Sequence, residues 1–226
     1  MIADNLSRIQ STLPPSARLV AVSKLKPVED ILEAYHAGQR LFGENYATEL
    51  RDKAAQLPDD IEWHFIGHLQ SKQLKYYIPF VSMIHGVDSL EHLHDVEAAA
   101  AKVGRTVDVL LQVHVAQEET KFGFLPGELE VESGKWKVES ELAHVRICGL
   151  MAMASNTDDE ARVRADFHAA RQLFDRLKAG PFAQAPHFRE LSMGMSHDYP
   201  LALAEGATLV RIGSSIFGAR DYSKKN

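Results

Sequence analysis

The chain has 226 residues, one cysteine and a formal net charge of −6. A single cysteine excludes an intramolecular disulfide and a zinc site built from several thiolates. The negative charge opposes general binding to a nucleic-acid backbone, and no polybasic membrane signal is present. The N-terminal residues do not have the pattern of a signal peptide, and no apolar run reaches the roughly 18 residues of a membrane span, so we expect a cytoplasmic protein.

Eight short apolar runs, several of them rich in β-branched residues, predict eight strands. Each run is nearly continuous in apolar character, which is typical of strands covered on both faces. In chain order the runs begin near Leu19, Leu41, Glu62, Val81, Val107, Val145, Arg189 and Thr208.

Helix-like segments separate these runs. Residues 28–37 follow Pro27 and end before Gly38, which are start and stop signals of a helix. Two further helices are predicted over 90–103 and 158–178. Because strand and helix alternate along the whole chain, the sequence predicts an α/β fold, a single-domain (β/α)8 TIM barrel.

Two segments interrupt this alternation. Residues 116–141 are polar and contain Pro126 and Gly134, which predicts a surface loop followed by a weak helix. Residues 179–188 form a connection rich in proline, glycine and alanine. Neither segment is long or distinct enough to mark a domain boundary, so we expect one domain over 1–226.

The lysine that follows the first strand is the first candidate functional residue. Functional groups of TIM barrels collect at the carboxyl ends of the strands, and Lys24 directly follows four apolar strand residues. A partly desolvated ammonium has a lowered pKa, and a neutral amine is the form that makes a Schiff base. The alternative is a strand-end lysine that reaches solvent, with Lys26 as a second surface cation.

The loops after the seventh and eighth strands contain glycine and serine. TIM barrels commonly bind a phosphate between these two loops through backbone N–H groups. Gly194 and Ser196 follow one strand, and Gly213 and Ser214 follow the other. Each pair alone is typical of an ordinary turn, but with a reactive lysine they indicate a phosphorylated carbonyl compound, either a sugar phosphate or pyridoxal phosphate. Arg211 would then serve the phosphate or a ring nitrogen.

The strands and one predicted helix contain further candidate residues, of which only Glu44 leaves two interpretations open. Cys148 lies in an apolar run, which predicts a small buried hydrophobe. Glu44 ends the second apolar run, and we interpret it either as a hydrogen-bond hub or as a catalytic base. His92 and His94 are two positions apart on a predicted helix, where their side chains diverge, so they do not predict a metal site.

Several short motifs, taken in order, resemble the pyridoxal phosphate homeostasis proteins, whose barrel is related to the N-terminal barrel of alanine racemase (fold type III). The resemblance covers nearly the whole chain. The motifs are AVSK at 21–24, FGENY at 42–46, WHFIG at 63–67, LSMGMS at 191–196 and VRIG at 210–213.

The resemblance implies that Lys24 holds pyridoxal 5′-phosphate (PLP) as a Schiff base and that Ser196, Gly213 and Ser214 bind its phosphate. It also implies that Arg211 faces the ring nitrogen and keeps it unprotonated, which makes the ring a poorer electron sink. The remaining cofactor contacts that it implies are Asn45, His64 and Met193.

Two loops depart from the usual family pattern. Lys72 and Gln73 stand where the family usually has asparagine and lysine, and Ala154 replaces a usual proline. These differences leave the contacts of the loop after the third strand open. They do not affect Lys24 or the two phosphate loops.

The resemblance implies a protein that buffers PLP and delivers it to PLP-dependent apoenzymes, without an established turnover. Racemases of this fold need a second, β-rich domain, for which the 13 residues after Gly213 leave no room, and we expect a monomer. The alternative is a PLP-dependent amino-acid racemase or lyase of fold type III with His64, His85 or Tyr46 as acid-base groups at the barrel mouth. A remoter alternative is a Schiff-base aldolase that acts on sugar phosphates.

Overall fold

The computed structural model describes residues 1–117, 122–135 and 142–219, with the backbone alone for 131–135. Eight parallel strands form one closed barrel in which each strand pairs with the next and the eighth pairs with the first. The strands are β1 (Arg18–Val22), β2 (Leu41–Glu44), β3 (Glu62–Phe65), β4 (Met83–Val87), β5 (Val107–Val113), β6 (Val145–Ala152), β7 (Glu190–Ser192) and β8 (Leu209–Ile212). The predicted TIM barrel is confirmed.

Helices connect most of the strands. A short 3-10 helix, Ser71–Tyr76, lies between β3 and β4. The α-helices are α1 (Ile2–Gln10), α2 (Val28–His36), α3 (Ala47–Ala54), α4 (Leu90–Lys102), α5 (Pro126–Lys135), α6 (Glu160–Ala179), α7 (Tyr199–Ala204) and α8 (Ser214–Phe217). No helix in the described part of the chain is long and apolar enough to span a membrane.

The predicted interruptions are found where they can be observed. Helix α5 occupies part of the predicted loop-and-helix segment 116–141, of which 118–121 and 136–141 lie outside the described residues. The connection after α6 contains turns and no helix or strand up to β7. Helix α1 was not predicted, and it packs Leu6 and Ile9 into the core.

Apolar packing holds the barrel from both sides. The larger cluster joins the outward-facing strand residues, such as Phe42 and Phe65, to the inner faces of the helices. A smaller cluster fills part of the barrel interior with Val20, Leu41, Met83, Leu110, Cys148, Met151 and Leu209. Burial of one large apolar side chain contributes about 1.5–3 kcal/mol. The rigid barrel therefore fixes where each strand-end loop begins.

Candidate functional site

The turn that carries Lys24 begins immediately after β1. The amide of Lys26 donates to the carbonyl of Ser23 at 3.0 Å and closes a four-residue turn. Leu25, the third residue of the turn, has a φ of 59°, a left-handed conformation that glycine normally occupies there. Its amide donates to Glu49 Oε1 at 2.6 Å. The side chain of Lys24 is half-buried at the carboxyl end of the strand, as the sequence predicted.

A second lysine ties this turn to the chain that follows β8. Lys26 Nζ donates to the carbonyl oxygens of Phe217 and Ala219, each at 2.6 Å. The cation therefore binds the end of α8 while it stays partly exposed. This contact holds the Lys24 turn beside α8.

The loops after β7 and β8 are joined to each other. The carbonyl of Gly194 accepts from the amide of Arg211 at 2.9 Å, and Ser196 Oγ accepts from the amide of Gly213 at 3.3 Å. Gly194 has a φ of 93°, and a Cβ there would lie 2.6 Å from the Cβ of Ala202. Only glycine fits that position. The two loops therefore form one continuous edge of the barrel mouth, as the phosphate-site prediction requires.

Arg211 lies on β8 with its guanidinium inside the barrel. Nη1 donates to the carbonyl and to Oγ of Ser192, at 2.9 and 2.6 Å, and Nη2 donates to the carbonyl of Ala152 at 3.0 Å. Burial lowers the pKa of Arg211 to about 10, and the charge of Asp198 acts in the opposite direction. The guanidinium is therefore still a cation at neutral pH, and it can only donate hydrogen bonds.

A hydrogen-bonded chain continues from Arg211 through the barrel interior. His85 Nδ1 lies 3.0 Å from Ser192 Oγ, and His85 Nε2 lies 2.8 Å from His64 Nδ1. Ser192 Oγ accepts from Arg211, because a guanidinium can only donate. The two ring nitrogens that face each other share one proton, so one of them donates and the other accepts. The chain therefore links the buried cation of Arg211 to both imidazoles.

Both histidines are neutral. Burial lowers the pKa of His64 to about 3, with a smaller contribution from the charge of Arg18. Burial also lowers the pKa of His85 well below its usual value, and His64 and Arg211 act in the same direction. This agrees with their surroundings, since the charge at the end of the hydrogen-bonded chain is the cation of Arg211, which disfavours a second positive charge.

Two polar atoms in the loops that directly follow strands are buried without a hydrogen-bond partner among the described residues, namely Oδ1 of Asn45, after β2, and Nε2 of His114, after β5. Oε2 of Glu44, the last residue of β2, is a third such atom. The loop after β3 lies directly against Asn45, because a Cβ on Gly67 would be 2.1 Å from the Asn45 carbonyl oxygen. A cavity of about 270 Å³ opens here, with Asn45, Tyr46, Gly67 and His68 in its wall.

Most of the predicted site residues lie at the carboxyl end of the barrel. Lys24, Asn45, Ser196, Gly213 and Ser214 lie in the loops at the carboxyl end of the barrel, and Arg211 lies within the barrel below the last of these loops. Their predicted cofactor contacts remain predictions, but the fold gathers their positions at one end.

The remaining predicted residues lie elsewhere. Met193 is fully buried in the larger apolar cluster, between the strands and the helices. His64 borders a cavity of about 410 Å³ together with Arg18 and Glu62, the first residues of β1 and β3, so its ring faces the amino end of the barrel. Its cofactor contact also remains a prediction. The prediction that His85 lies at the mouth is wrong, because it points inward from the middle of β4 and is fully buried.

The structure resolves the open interpretation of Glu44, confirms that Cys148 is buried and reveals one residue that the sequence analysis missed. Glu44 is fully buried and accepts from Ser23 Oγ and Lys53 Nζ, which makes it a hydrogen-bond hub. Cys148 is buried, and burial raises the pKa of its thiol to about 12. Lys53 was missed; its only sequence signal is the helical i, i+4 spacing from Glu49.

Comparison with known proteins agrees with the barrel fold. The alanine racemase N-terminal domain family matches residues 1–221. A pyridoxal phosphate homeostasis protein of Pasteurella multocida is 40% identical over 237 residues, covering 99% of each chain. One of Aquifex aeolicus is 40% identical over 207 residues, covering 91% of this chain and 88% of its own length.

Solved structures give the same result. PipY of Synechococcus elongatus, with PLP bound, is 40% identical, with a TM-score of 0.84, and the match covers 96% of this chain and 100% of that chain. Alanine racemase of Streptomyces coelicolor has a TM-score of 0.76 at 20% identity, covers 96% of this chain and 58% of its own, and shares the fold.

The closed parallel barrel has a lysine after its first strand and joined glycine–serine loops after its last two, and the family match over residues 1–221 makes it a barrel of the alanine racemase type. The chain belongs to the alanine racemase N-terminal domain family, among the pyridoxal phosphate homeostasis proteins.

Proposed function

We propose that this protein binds pyridoxal 5′-phosphate and serves its intracellular homeostasis, by buffering the cofactor and delivering it to PLP-dependent apoenzymes. The observation that carries the proposal is one barrel mouth with a half-buried lysine after β1 and two joined glycine–serine loops after β7 and β8. Relatives named for PLP homeostasis, and the PLP-bound structure of PipY, support it.

Lys24 holds the cofactor through a Schiff base. Its neutral amine attacks the aldehyde carbon of PLP and one water molecule leaves, so the step needs no oxidant or reductant. The rigid turn fixes the start of the side chain, and its half-buried position limits access of bulk water. Both features favour retention of the cofactor.

The loops after β7 and β8 bind the phosphate. The first N–H groups of α8 have no partner within the helix and are available to an anion, and Gly213 lets the backbone approach closely. Ser196 and Ser214 add hydroxyl donors. Ser196 Oγ already accepts from Gly213, so its own proton is free to be donated to a phosphate oxygen.

The residues of the mouth also fit the ring of PLP. Arg211 is a permanent donor, so a pyridine nitrogen that faces it stays unprotonated and withdraws electrons weakly. The two buried atoms without partners, Asn45 Oδ1 and His114 Nε2, would each cost about 1–3 kcal/mol if they were left unsatisfied. Polar groups of a bound cofactor are suitable partners for both.

These properties favour handling of the cofactor over turnover. A weak electron sink limits carbanion chemistry, and two candidate acid-base groups, His64 and His85, are buried and bonded to each other. In this proposal, residues 1–226 form one PLP-binding domain and act as a cytoplasmic monomer, without nucleic acid or membrane as partner.

The test is an absorbance spectrum of the purified protein with PLP, before and after borohydride reduction. We expect a Schiff-base band in the wild type that is lost in Lys24→Ala. Peptide mass spectrometry of the reduced protein then locates the pyridoxyl group, and we expect it on Lys24 and not on the neighbouring Lys26. A wild type without this band, or a label on another lysine, would overturn the proposal for Lys24.

Delivery is tested separately from binding. Loaded protein is mixed with a PLP-dependent apoenzyme across a dialysis membrane and in direct contact. Faster reactivation in direct contact supports delivery, whereas equal rates would leave buffering alone. Gel filtration of the loaded protein checks the monomer.

A further inference from the structure

A lysine on the inner side of α3 is almost completely buried. Lys53 Nζ lies 2.7 Å from each of three acceptors, which are the carbonyl of Ser23, Oε1 of Glu44 and Oε1 of Glu49. These contacts use all three N–H donors of the ammonium group. A buried ammonium is stable only with such partners, so this arrangement is specific and leaves Lys53 no free donor.

The same cluster holds the chain on both sides of Lys24. On one side, the carbonyl of Ser23 binds Lys53, and Ser23 Oγ donates to Glu44 at 2.6 Å. On the other side, the amide of Leu25 donates to Glu49 at 2.6 Å. The residues before and after the reactive lysine are therefore bonded to one ammonium and its two carboxylates.

The hydrogen bond from the Leu25 amide to Glu49 also stabilises a left-handed backbone conformation at Leu25. A residue with a Cβ adopts a φ of 59° only when its surroundings stabilise it. Glu49 accepts from the amide of that residue, and Glu49 is in turn fixed by Lys53. Without the carboxylate, we expect the turn to relax toward commoner backbone angles and to carry the Lys24 side chain with it.

The charges of the cluster depend on one another. Burial raises the pKa of Glu44 to about 7, the charge of Lys53 lowers it, and the charge of Glu49 raises it. Lys53 therefore keeps Glu44 ionised for a larger fraction of the time at neutral pH. Glu44 Oε2 is buried without a partner among the described residues, so Oε1 carries the contacts of this carboxylate.

We propose that Lys53, with Glu44 and Glu49, is a positioning group that holds the Ser23–Lys24–Leu25 turn so that the Lys24 amine meets the aldehyde of PLP. We call these three residues the clamp. The inference rests on the proposed function, because it assigns Lys24 the capture of the cofactor. Lys53 itself does not react, since its three donors are engaged.

A purely structural role is the competing explanation, in which the clamp only attaches α3 to the barrel. The two explanations differ in what they predict for capture at full occupancy. Loss of attachment lowers the unfolding temperature alone. Loss of positioning also slows Schiff-base formation at saturating PLP, because reaction rates fall steeply when a reacting group is displaced by about 1 Å.

Glu49→Ala is the central variant, because Glu49 lies at the edge of the clamp and its removal leaves the buried Glu44–Lys53 pair in place. Its matched control is Glu205→Ala. Both carboxylates are ion-paired and similarly buried, with 20% and 16% side-chain exposure, but Glu205 pairs with His168 and Arg164, away from the clamp. Glu49→Gln keeps an oxygen that can accept from Leu25 without the charge.

We measure the rate of Schiff-base formation at saturating PLP, the dissociation constant, the pH dependence of the band and the unfolding temperature. We expect Glu49→Ala to capture PLP about tenfold more slowly, equivalent to about 1.4 kcal/mol, and Glu49→Gln to recover part of that loss. Glu205→Ala should match the wild type in rate whatever its unfolding temperature.

The double variant Glu44→Gln/Lys53→Met tests the buried half of the clamp without leaving an unpaired buried charge. If it folds, we expect slower capture than in Glu49→Ala. Wild-type rates and an unchanged pH profile in Glu49→Ala would refute the positioning role while leaving PLP binding intact. Absence of a Schiff base in the wild type would refute the proposed function itself, and the clamp would lose its role with it.

Discussion

The two ends of the barrel differ in how their polar side chains are satisfied. At the amino end, charged residues around a cavity of about 410 Å³ pair with each other. Arg18 lies 3.1 Å from Glu190, and Arg146 lies 2.7 Å from Asp108. These groups already have partners of opposite charge. A ligand at this end would have to compete with existing ion pairs.

At the carboxyl end, the protein leaves polar groups without a partner. Asn45 Oδ1 and His114 Nε2 are buried and unbonded within the part of the chain that the structure describes. Tyr77 Oη and Arg162 Nε are also buried and unbonded among the described residues, so such an atom alone does not mark a site. At the mouth, the unbonded atoms coincide with the loops that follow the strands, where a bound ligand would complete them. This coincidence, more than cavity volume, favours the carboxyl end as the proposed ligand end, since the larger of these two cavities lies at the amino end.

The largest predicted difference between the two ends is the loss of stability on removal of one arginine from each, Arg211 and Arg18. Arg211→Ala removes the hydrogen-bond donor of the Ser192 hydroxyl and of two buried carbonyls, and it creates a cavity in place of the guanidinium. We expect a loss of roughly 2–5 kcal/mol in the free energy of unfolding. Arg18 is 50% exposed in an ion pair, so Arg18→Ala should cost about 1 kcal/mol or less.

Urea unfolding measures both costs, and titration with PLP measures affinity in the same variants. We expect weaker PLP binding in Arg211→Ala and wild-type binding in Arg18→Ala. If Arg18→Ala weakened PLP binding as much, the assignment of the ligand to the carboxyl end would be wrong.

The pH dependence of stability is the second test, because the buried histidines and Glu44 shift the free energy of unfolding in opposite directions as the pH falls. His64 has a folded pKa of about 3 against a usual 6.5, so the unfolded chain binds the extra proton below pH 6.5. The stability contributed by His64 is present above that pH and is lost as the pH falls, by about 1.4 kcal/mol per unit. His85 acts in the same direction.

Glu44 behaves in the reverse way, because its folded pKa of about 7 lies above the usual 4.5. Its contribution is present below pH 4.5 and is lost as the pH rises to 7. We therefore expect Glu44→Gln to steepen the loss of stability between these pH values on acidification, by about 1.4 kcal/mol per unit. His64→Gln should make it shallower by a similar amount. Urea unfolding across this range measures both slopes, and parallel wild-type and variant slopes would contradict the assignment.

The strands and the position of Lys24 could be predicted because their signals are local. Each strand is a short apolar run, and Lys24 directly follows one of them. The positions of the glycine–serine loops after β7 and β8 could be predicted because glycine and serine mark turns, and their role in binding phosphate stays a prediction. The structure places all eight strands within two residues of their predicted starts.

The missed features depend on which way a side chain faces after the barrel closes. His85 was expected at the mouth, but strand tilt and register place it inside, against His64 and Ser192. Lys53 lies on a helix among polar residues, so its sequence is typical of an exposed lysine. Its burial arises from contacts with Ser23 and Glu44, thirty and nine residues away, which no local pattern records.

The smallest predicted effect concerns two glycines, one at the mouth and one outside it. A Cβ on Gly67 would lie 2.1 Å from the carbonyl oxygen of Asn45, so Gly67→Ala must displace the backbone of one of the two loops. Such overpacking costs about 1–3 kcal/mol, and the displaced Asn45 should also weaken PLP binding.

Gly127 in α5 has no atom within 4 Å of an added Cβ, so Gly127→Ala is the matched control. We expect it to be neutral or stabilising by up to about 1 kcal/mol, since alanine favours a helix, with unchanged PLP affinity. Thermal unfolding and PLP titration of the pair check this. Unchanged PLP affinity in a destabilised Gly67→Ala would mean that Asn45 does not contact the cofactor.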